Sequence, residues 1–379
     1  MIFYMKLSQT VSYIEKREIM KAETKSPLKK NGAADSKLSG RIWFNICLFG
    51  FTGQMAWTLE NMYFNTFLYN TVYEGGKVTG SLSSMTAIKL MVAFSAATAV
   101  ITTFIMGNLS DRVNKRKIFI SLGYIIWGIT TGAFGFITKD NIGSLFGISD
   151  SYKVITATAV TVIVMDCVMT FFGSTANDAA FNAYVTDITD NSNRGRAESV
   201  LAILPLISML IIFGAFDGLT QQGRWQEFFN IFGLAVSVVG VLAIFLVKDE
   251  PGLKRGSDSY FKNLLYGFRP SVVKENPELY LSFAAFCLFS VAVQVFFPYL
   301  IIYIQNYLGI TDYAIVLGVV LILASVVSVV SGRFIDRLGK LRFVFPAAAV
   351  MLAGLVGMFF VRGSAGVMIA GTVMMSGYM

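Results

Sequence analysis

The sequence predicts an all-α membrane protein built from two bundles of helices. Three observations carry that reading: long apolar runs recur along the 379 residues, basic residues gather in alternate gaps between the runs, and one gap motif occurs twice.

Apolar residues make up 55% of the chain and charged residues only 14%; a soluble domain carries roughly 25% charged residues. The apolar residues fall into runs of about 20 or more, the length that crosses a bilayer as a helix. The predicted spans are 42–70, 82–107, 118–138, 153–184, 199–220, 226–247, 280–308, 312–334, 342–361 and 366–379. The last has fourteen residues and no basic anchor after it, so the expectation is a chain that stops inside its tenth helix.

The net charge of +8 reports topology rather than a nucleic-acid partner. Of 31 basic residues, 25 lie in 1–41, 108–117, 186–200, 248–280 and 333–342. Alternate gaps are thus rich and poor in Lys and Arg, as in proteins whose basic loops stay in the cytoplasm. The expectation is a multi-pass inner-membrane protein, monomeric, with its N-terminus in the cytoplasm. Residues 1–41 lack the continuous apolar core of a signal peptide, and Met20 is a plausible start. Cys47, Cys167 and Cys287 lie inside apolar runs and read as small hydrophobes. With no histidine, no cysteine cluster and no nucleotide loop, neither a metal site, a resident cofactor nor an enzyme is expected.

The longest polar break, 248–279, follows six predicted helices. The expected organisation is a tail (1–41), a six-helix bundle (42–247), a cytoplasmic linker (248–279) and a second, incomplete bundle (280–379). A repeat supports two related halves. Gly107-Asn108-Leu109-Ser110-Asp111-Arg112-Val113-Asn114-Lys115-Arg116 follows the second helix, and Gly332-Arg333-Phe334-Ile335-Asp336-Arg337-Leu338-Gly339-Lys340 follows the eighth. Recurrence at corresponding places outweighs either copy alone.

This loop resembles the signature of the major facilitator superfamily, whose fold is two six-helix bundles. Only Asn114 departs in the first copy, where the family has glycine. Asn tolerates the left-handed backbone that glycine provides. In that family the loop latches the halves on the cytoplasmic side, so the resemblance implies a gating role for Gly107, Asp111, Arg112, Gly332, Asp336 and Arg337. The bland alternative is a basic loop that only sets topology. A finer resemblance lies in the fourth helix. Asp166, then Asn177-Asp178-Ala179-Ala180-Phe181-Asn182, then Thr186-Asp187-Ile188-Thr189, is similar to the glycoside–pentoside–hexuronide:cation symporters, the melibiose permease-like family. That match gives Asp178 the place of a cation-site aspartate. The second-helix acids of those symporters are missing: Ala99–Met106 carries none.

An ionisable side chain at helix centre costs about 2.5–3.5 kcal/mol on insertion scales and needs a reason. Glu60, Asp166 and Asp178 are therefore candidate ion-coupling residues, holding a proton or a cation such as Na+. The alternative is an acid that fastens one helix to another. Lys89 is read as reaching to the interface and Asp217 as interfacial.

Polar residues repeat at helical spacing. Gln54, Thr58, Asn61 and Asn65 share one face of the first helix. Asp166, Thr170, Gly173 and Asn177 repeat the spacing on the fourth, with Ser174, Asp178 and Asn182 alongside. Gln294 and Gln305 share a face with Pro298 on the seventh. Such faces must look away from lipid, and the resemblance puts these three helices around a central cavity. Gln54, Trp57, Thr58, Asn61, Asn65, Asn177, Asn182, Gln294 and Tyr299 are the candidate lining, with Tyr63 and Trp127 as further rings that could stack on a sugar. Pro205 and Pro298 are candidate kinks. Amides and hydroxyls without a basic ring suit a neutral hydroxylated solute. The expected function is cation-coupled symport of a sugar or glycoside. The alternative is a proton-coupled exporter of amphipathic compounds, with Glu60 as its proton site.

Overall fold

A computed structural model describes residues 38–113, 115–190, 193–249, 269–338 and 340–378, with side chains at all of these except 332–344. Residues 1–37, Asn114, most of the predicted linker and the side chains of Gly332, Asp336 and Arg337 lie outside the described residues.

Among the described residues ten long helices follow one another: α1 (40–72), α2 (Ser84–Val113), α3 (Arg116–Phe136), α4 (Ser151–Ile188), α5 (Arg194–Gln221), α6 (Trp225–Leu246), α7 (Pro277–Tyr307), α8 (Tyr313–Leu338), α9 (Lys340–Phe360) and α10 (Ser364–Tyr378). No strand occurs among the described residues. α2 to α8 are each long and apolar enough to cross a membrane, whereas α1 carries the polar stripe. Phe94, Ile101, Ile129, Leu234, Phe245, Leu288, Val295 and Phe359 are exposed on the outside of the bundle. Large apolar side chains exposed all round a bundle suit a surround of lipid.

The helix ends follow local chemistry. Asp150 caps α4 by accepting from Lys153 N at 2.9 Å, so α4 begins at Ser151. Pro277 occupies the first turn of α7, where its missing N–H costs nothing; α7 thus starts three residues before the predicted 280. At the start of α1, Arg41 donates to the Phe245 and Leu246 carbonyls, both at 3.0 Å. A cation there satisfies the open carbonyls at the end of α6 and complements its dipole.

Two helices outrun the expectation. α2 continues to Val113 and α8 to Leu338, past the predicted 107 and 334. Gly107, Asp111 and Arg112 therefore occupy the last turns of a helix rather than a loop. Of the predicted kinks, Pro298 lies in a 3₁₀ turn, Phe297–Tyr299, that breaks α7. Pro205 lies inside the continuous helix Arg194–Ile211.

Within the first six helices α3 packs on α6, α1 on α5 and α2 on α4; α8, α9 and α10 pack together in the second group. Small residues permit the closest crossings, as is usual between helices in lipid. A Cβ at Gly128 of α3 would collide with the Gly233 carbonyl of α6. Phe64, Phe67, Phe134, Trp225, Phe228 and Phe229 form a buried aromatic core at one end of the first group. This is the far end of the bundle. The opposite end, with Arg41, Arg112, Arg116 and Arg194, is the basic end.

Candidate functional site

The polar face of α1 is satisfied largely from within. Thr58 donates to the Gln54 carbonyl at 2.8 Å, Asn61 to Trp57 at 2.8 Å and Asn65 to Asn61 at 2.9 Å. Such bonds to the carbonyl four residues back occupy the Thr58 hydroxyl and one N–H of each amide, and they bend a helix. Between them, Leu59–Phe64 winds as a π segment, as does Ser174–Phe181 in α4; insertions of this kind recur at functional sites. An acceptor is left over: Asn65 Oδ1 is enclosed and has no partner. Trp57 Nε1 and Trp127 Nε1 are enclosed donors without a partner, and their rings lie 4.9 Å apart. A buried polar atom left unpaired costs roughly 1–3 kcal/mol.

Glu60 sits in the π segment of α1, where three helices meet. Ser95 of α2 donates to Glu60 Oε1, and Thr170 of α4 reaches the same oxygen at 3.0 Å. The two hydroxyls are 2.9 Å apart, and Thr170 also bonds the Asp166 carbonyl at 2.8 Å. The Asp166 carboxyl, 2% exposed, is close enough to interact with both Glu60 and Ser95. Glu60 Oε2 and Asp166 Oδ1 are enclosed without hydrogen-bond partners. Among the described residues no basic side chain pairs with either acid. Two neighbouring acids so enclosed cannot both carry bare charge, so the arrangement suits one shared proton or monovalent cation. Asp178 lies eight residues beyond Thr170 and is within charge range of Glu60, but it is not in this hydroxyl-bridged cluster. Lys89 is exposed, in keeping with reaching to the interface.

The other predicted lining residues divide. Asn177 donates to the Tyr124 hydroxyl at 2.7 Å, which donates to the Phe49 carbonyl at 2.8 Å; this chain ties α4, α3 and α1 together in the packed core. Gln54, Thr58 and Asn65 are also buried, whereas Trp57, Asn61, Asn182, Gln294 and Tyr299 are partly exposed. Tyr63 is wholly buried and unavailable for stacking as it stands.

Contacts between the two groups of helices gather at the far end. Asn70 of α1 donates to Gln305 of α7 at 3.0 Å and accepts from Asn306 at 3.1 Å. Asp217, expected at the interface, is instead 1% exposed. Its carboxylate accepts from Tyr63 of α1 at 2.9 Å, Tyr313 of α8 at 2.6 Å, Thr220 at 3.3 Å and Gln221 at 2.6 Å. These donors offset the cost of burial that the sequence position alone would have forbidden.

At the basic end, Arg116 is the centre of the motif. It pairs with Asp111 at 2.5 Å and Asp187 at 3.0 Å and donates to Ser110 at 2.6 Å, joining α2, α3 and α4. Arg112 is exposed. Arg116 closes the motif in sequence and was legible there as part of its basic run. Ser95 had a fainter signal: it shares a buried helical face with Ile88, Met91 and Thr102 of α2.

A groove between α2 and α4, lined by Leu90, Phe94, Val164, Val168 and Phe171 among others, is wholly apolar and separate from these polar clusters. The family model described as Major Facilitator Superfamily matches residues 27–379. No curated protein sequence matches the chain. Among solved structures, a partially occluded inward-open conformation of the xylose transporter XylE from E. coli superposes with a TM-score of 0.60 at 12% identity. The match covers 90% of this chain and 82% of that one. A D-xylose–proton symporter structure gives 0.62 at 12% identity, covering 89% and 79%. At this identity the likeness is one of fold.

Proposed function

The chain belongs to the Major Facilitator Superfamily, and from that premise we propose that it is a secondary active transporter coupling a cation, H+ or Na+, to symport of a sugar or glycoside. The observation that carries the coupling is the Glu60–Ser95–Thr170–Asp166 cluster. It places two carboxyls and two hydroxyls from α1, α2 and α4 inside the bundle with no basic partner among the described residues. A membrane potential contributes about 2.3 kcal/mol per charge per 100 mV, so one bound cation can drive an uncharged solute uphill. Asp178, next along α4, is the exit or entry point of that ion path.

A hydroxylated solute is favoured by the unpaired atoms of both senses near the α1 face, the Trp57 Nε1 donor and the Asn65 Oδ1 acceptor. The fold neighbours are named as a xylose transporter and a xylose–proton symporter, which agrees with this choice. Transport proceeds by alternating access, the first six helices rocking against the second group. The basic end faces the cytoplasm, and the protein works as a monomer.

The test is uptake of labelled sugars into vesicles under an imposed proton or sodium gradient. Asp178→Asn is expected to abolish gradient-driven accumulation while leaving exchange intact. Undiminished accumulation would remove Asp178 from the ion path; no sugar moving under either gradient would overturn the reading. A second reading, export of amphipathic compounds, is favoured by the apolar groove between α2 and α4. It predicts loss of protection against such compounds rather than loss of growth on a sugar.

A further inference from the structure

We propose that Asp217 is the positioning residue of a far-end gate, holding that end closed by accepting the Tyr313 hydroxyl across the two halves. The inference rests on the alternating-access reading. Asp217 and Tyr63 both belong to the first six helices, so their 2.9 Å bond joins α5 to α1 within one rigid half. Thr220 and Gln221 also belong to α5. Among the described residues, only Tyr313, at 2.6 Å, reaches in from the second half. Rocking the halves apart at the far end therefore breaks one bond of four.

The environment makes that one bond decisive. In the closed state the carboxylate is 1% exposed, and a carboxylate shut away from water depends on its donors. Once the far end opens, water replaces Tyr313 and the carboxylate is still satisfied. Closure thus competes directly with hydration of Asp217, and Tyr63, Thr220 and Gln221 hold the carboxylate in place for both states. Asn70 with Gln305 and Asn306 reinforces the same seam, but those amides pay little to separate because they lie near the exposed surface.

The geometry separates two tyrosines that a simple packing role would treat alike. Tyr313→Phe removes the bond made only in the closed state. Tyr63→Phe removes a bond made in both states, so it costs stability without shifting the balance between them.

The experiment uses two cysteine reporters, each in the protein with Cys47, Cys167 and Cys287 replaced by alanine. Leu317→Cys lies 5% exposed, one turn below Tyr313 on α8. Asn182→Cys is partly exposed toward the basic end of α4. A membrane-impermeant maleimide is applied to right-side-out and inside-out vesicles. Tyr313→Phe is expected to raise labelling of Leu317→Cys from the far-end side about tenfold, the effect of losing one hydrogen bond to a carboxylate. It should lower labelling of Asn182→Cys from the other side. Tyr63→Phe should leave both rates unchanged. Unchanged rates in Tyr313→Phe, a rise at both reporters together, or an equal shift in Tyr63→Phe would each overturn the gate. Labelling needs no solute, so vesicles that accumulate no sugar would overturn the proposed transport without touching this result.

Discussion

Ser95 of α2 donates its hydroxyl to the Glu60 carboxylate of α1, and Thr170 of α4 meets the same oxygen at 3.0 Å. The second oxygen of Glu60 is enclosed without a partner. A hydrogen bond to a charged group is worth roughly 1.5–3 kcal/mol. Ser95→Ala is therefore expected to reduce gradient-driven uptake at least tenfold. Ser95→Thr keeps the hydroxyl and should restore most of it. Equal loss in both variants, measured as initial uptake rates, would mean that the volume at this position matters and the hydroxyl does not.

The paired carboxyls make a different prediction. If Glu60 and Asp166 share one cation, neutralising either removes the charge that the ion needs. Glu60→Gln and Asp166→Asn should each abolish accumulation above equilibrium while solute still moves down its own gradient. Because the two act as a unit, the double variant should be no worse than either single one. Losses that multiply would show two independent sites.

The helices and their order were legible because apolar length and the placing of Lys and Arg act locally. The spans at 153–184 and 226–247 lie within a few residues of α4 and α6. The Glu60 and Asp166 positions were legible as charges in apolar runs, but their meeting was not. It depends on Ser95, an ordinary residue on α2 whose role comes from the packing of three helices. Asp217 was misread for the opposite reason. Its sequence position, four residues before the end of α5, fits an interfacial acid. What buries it is Tyr313, 96 residues away, which no local pattern reveals.

Trp57 offers a test of solute recognition apart from the ion. Its Nε1 has no partner, while its ring rests 4.9 Å from that of Trp127. Trp57→Phe keeps an aromatic ring and removes the donor. A donor that serves a solute hydroxyl should reveal itself as a rise in KM of about tenfold, with Tm nearly unchanged. Trp127 is wholly buried, and a Cβ at Gly173 would lie 2.7 Å from its ring. Trp127→Ala should instead lower Tm and expression, by the roughly 3–5 kcal/mol typical of emptying an aromatic site. A similar KM effect in both variants would argue against a special role for the Trp57 donor.

Gly53 tests the packing that sets the three helices in register. It lies on α1 against Tyr124 of α3 and Asn177 of α4. A Cβ there would collide with the Asn177 amide and stand 2.9 Å from the Tyr124 hydroxyl. Those two groups form the buried chain from Asn177 through Tyr124 to the Phe49 carbonyl, so the methyl cannot be accommodated by a surface side chain swinging away. Overpacking costs roughly 1–3 kcal/mol, and displacing Asn177 would add a broken buried hydrogen bond. Gly53→Ala is thus expected to lower Tm in detergent and to shift α1 against α4, separating Glu60 from Thr170. Adding Asn177→Ala makes room for the methyl at the expense of the hydrogen bond. The double variant should therefore regain part of the Tm lost by Gly53→Ala, and a double variant less stable than both singles would locate the strain elsewhere.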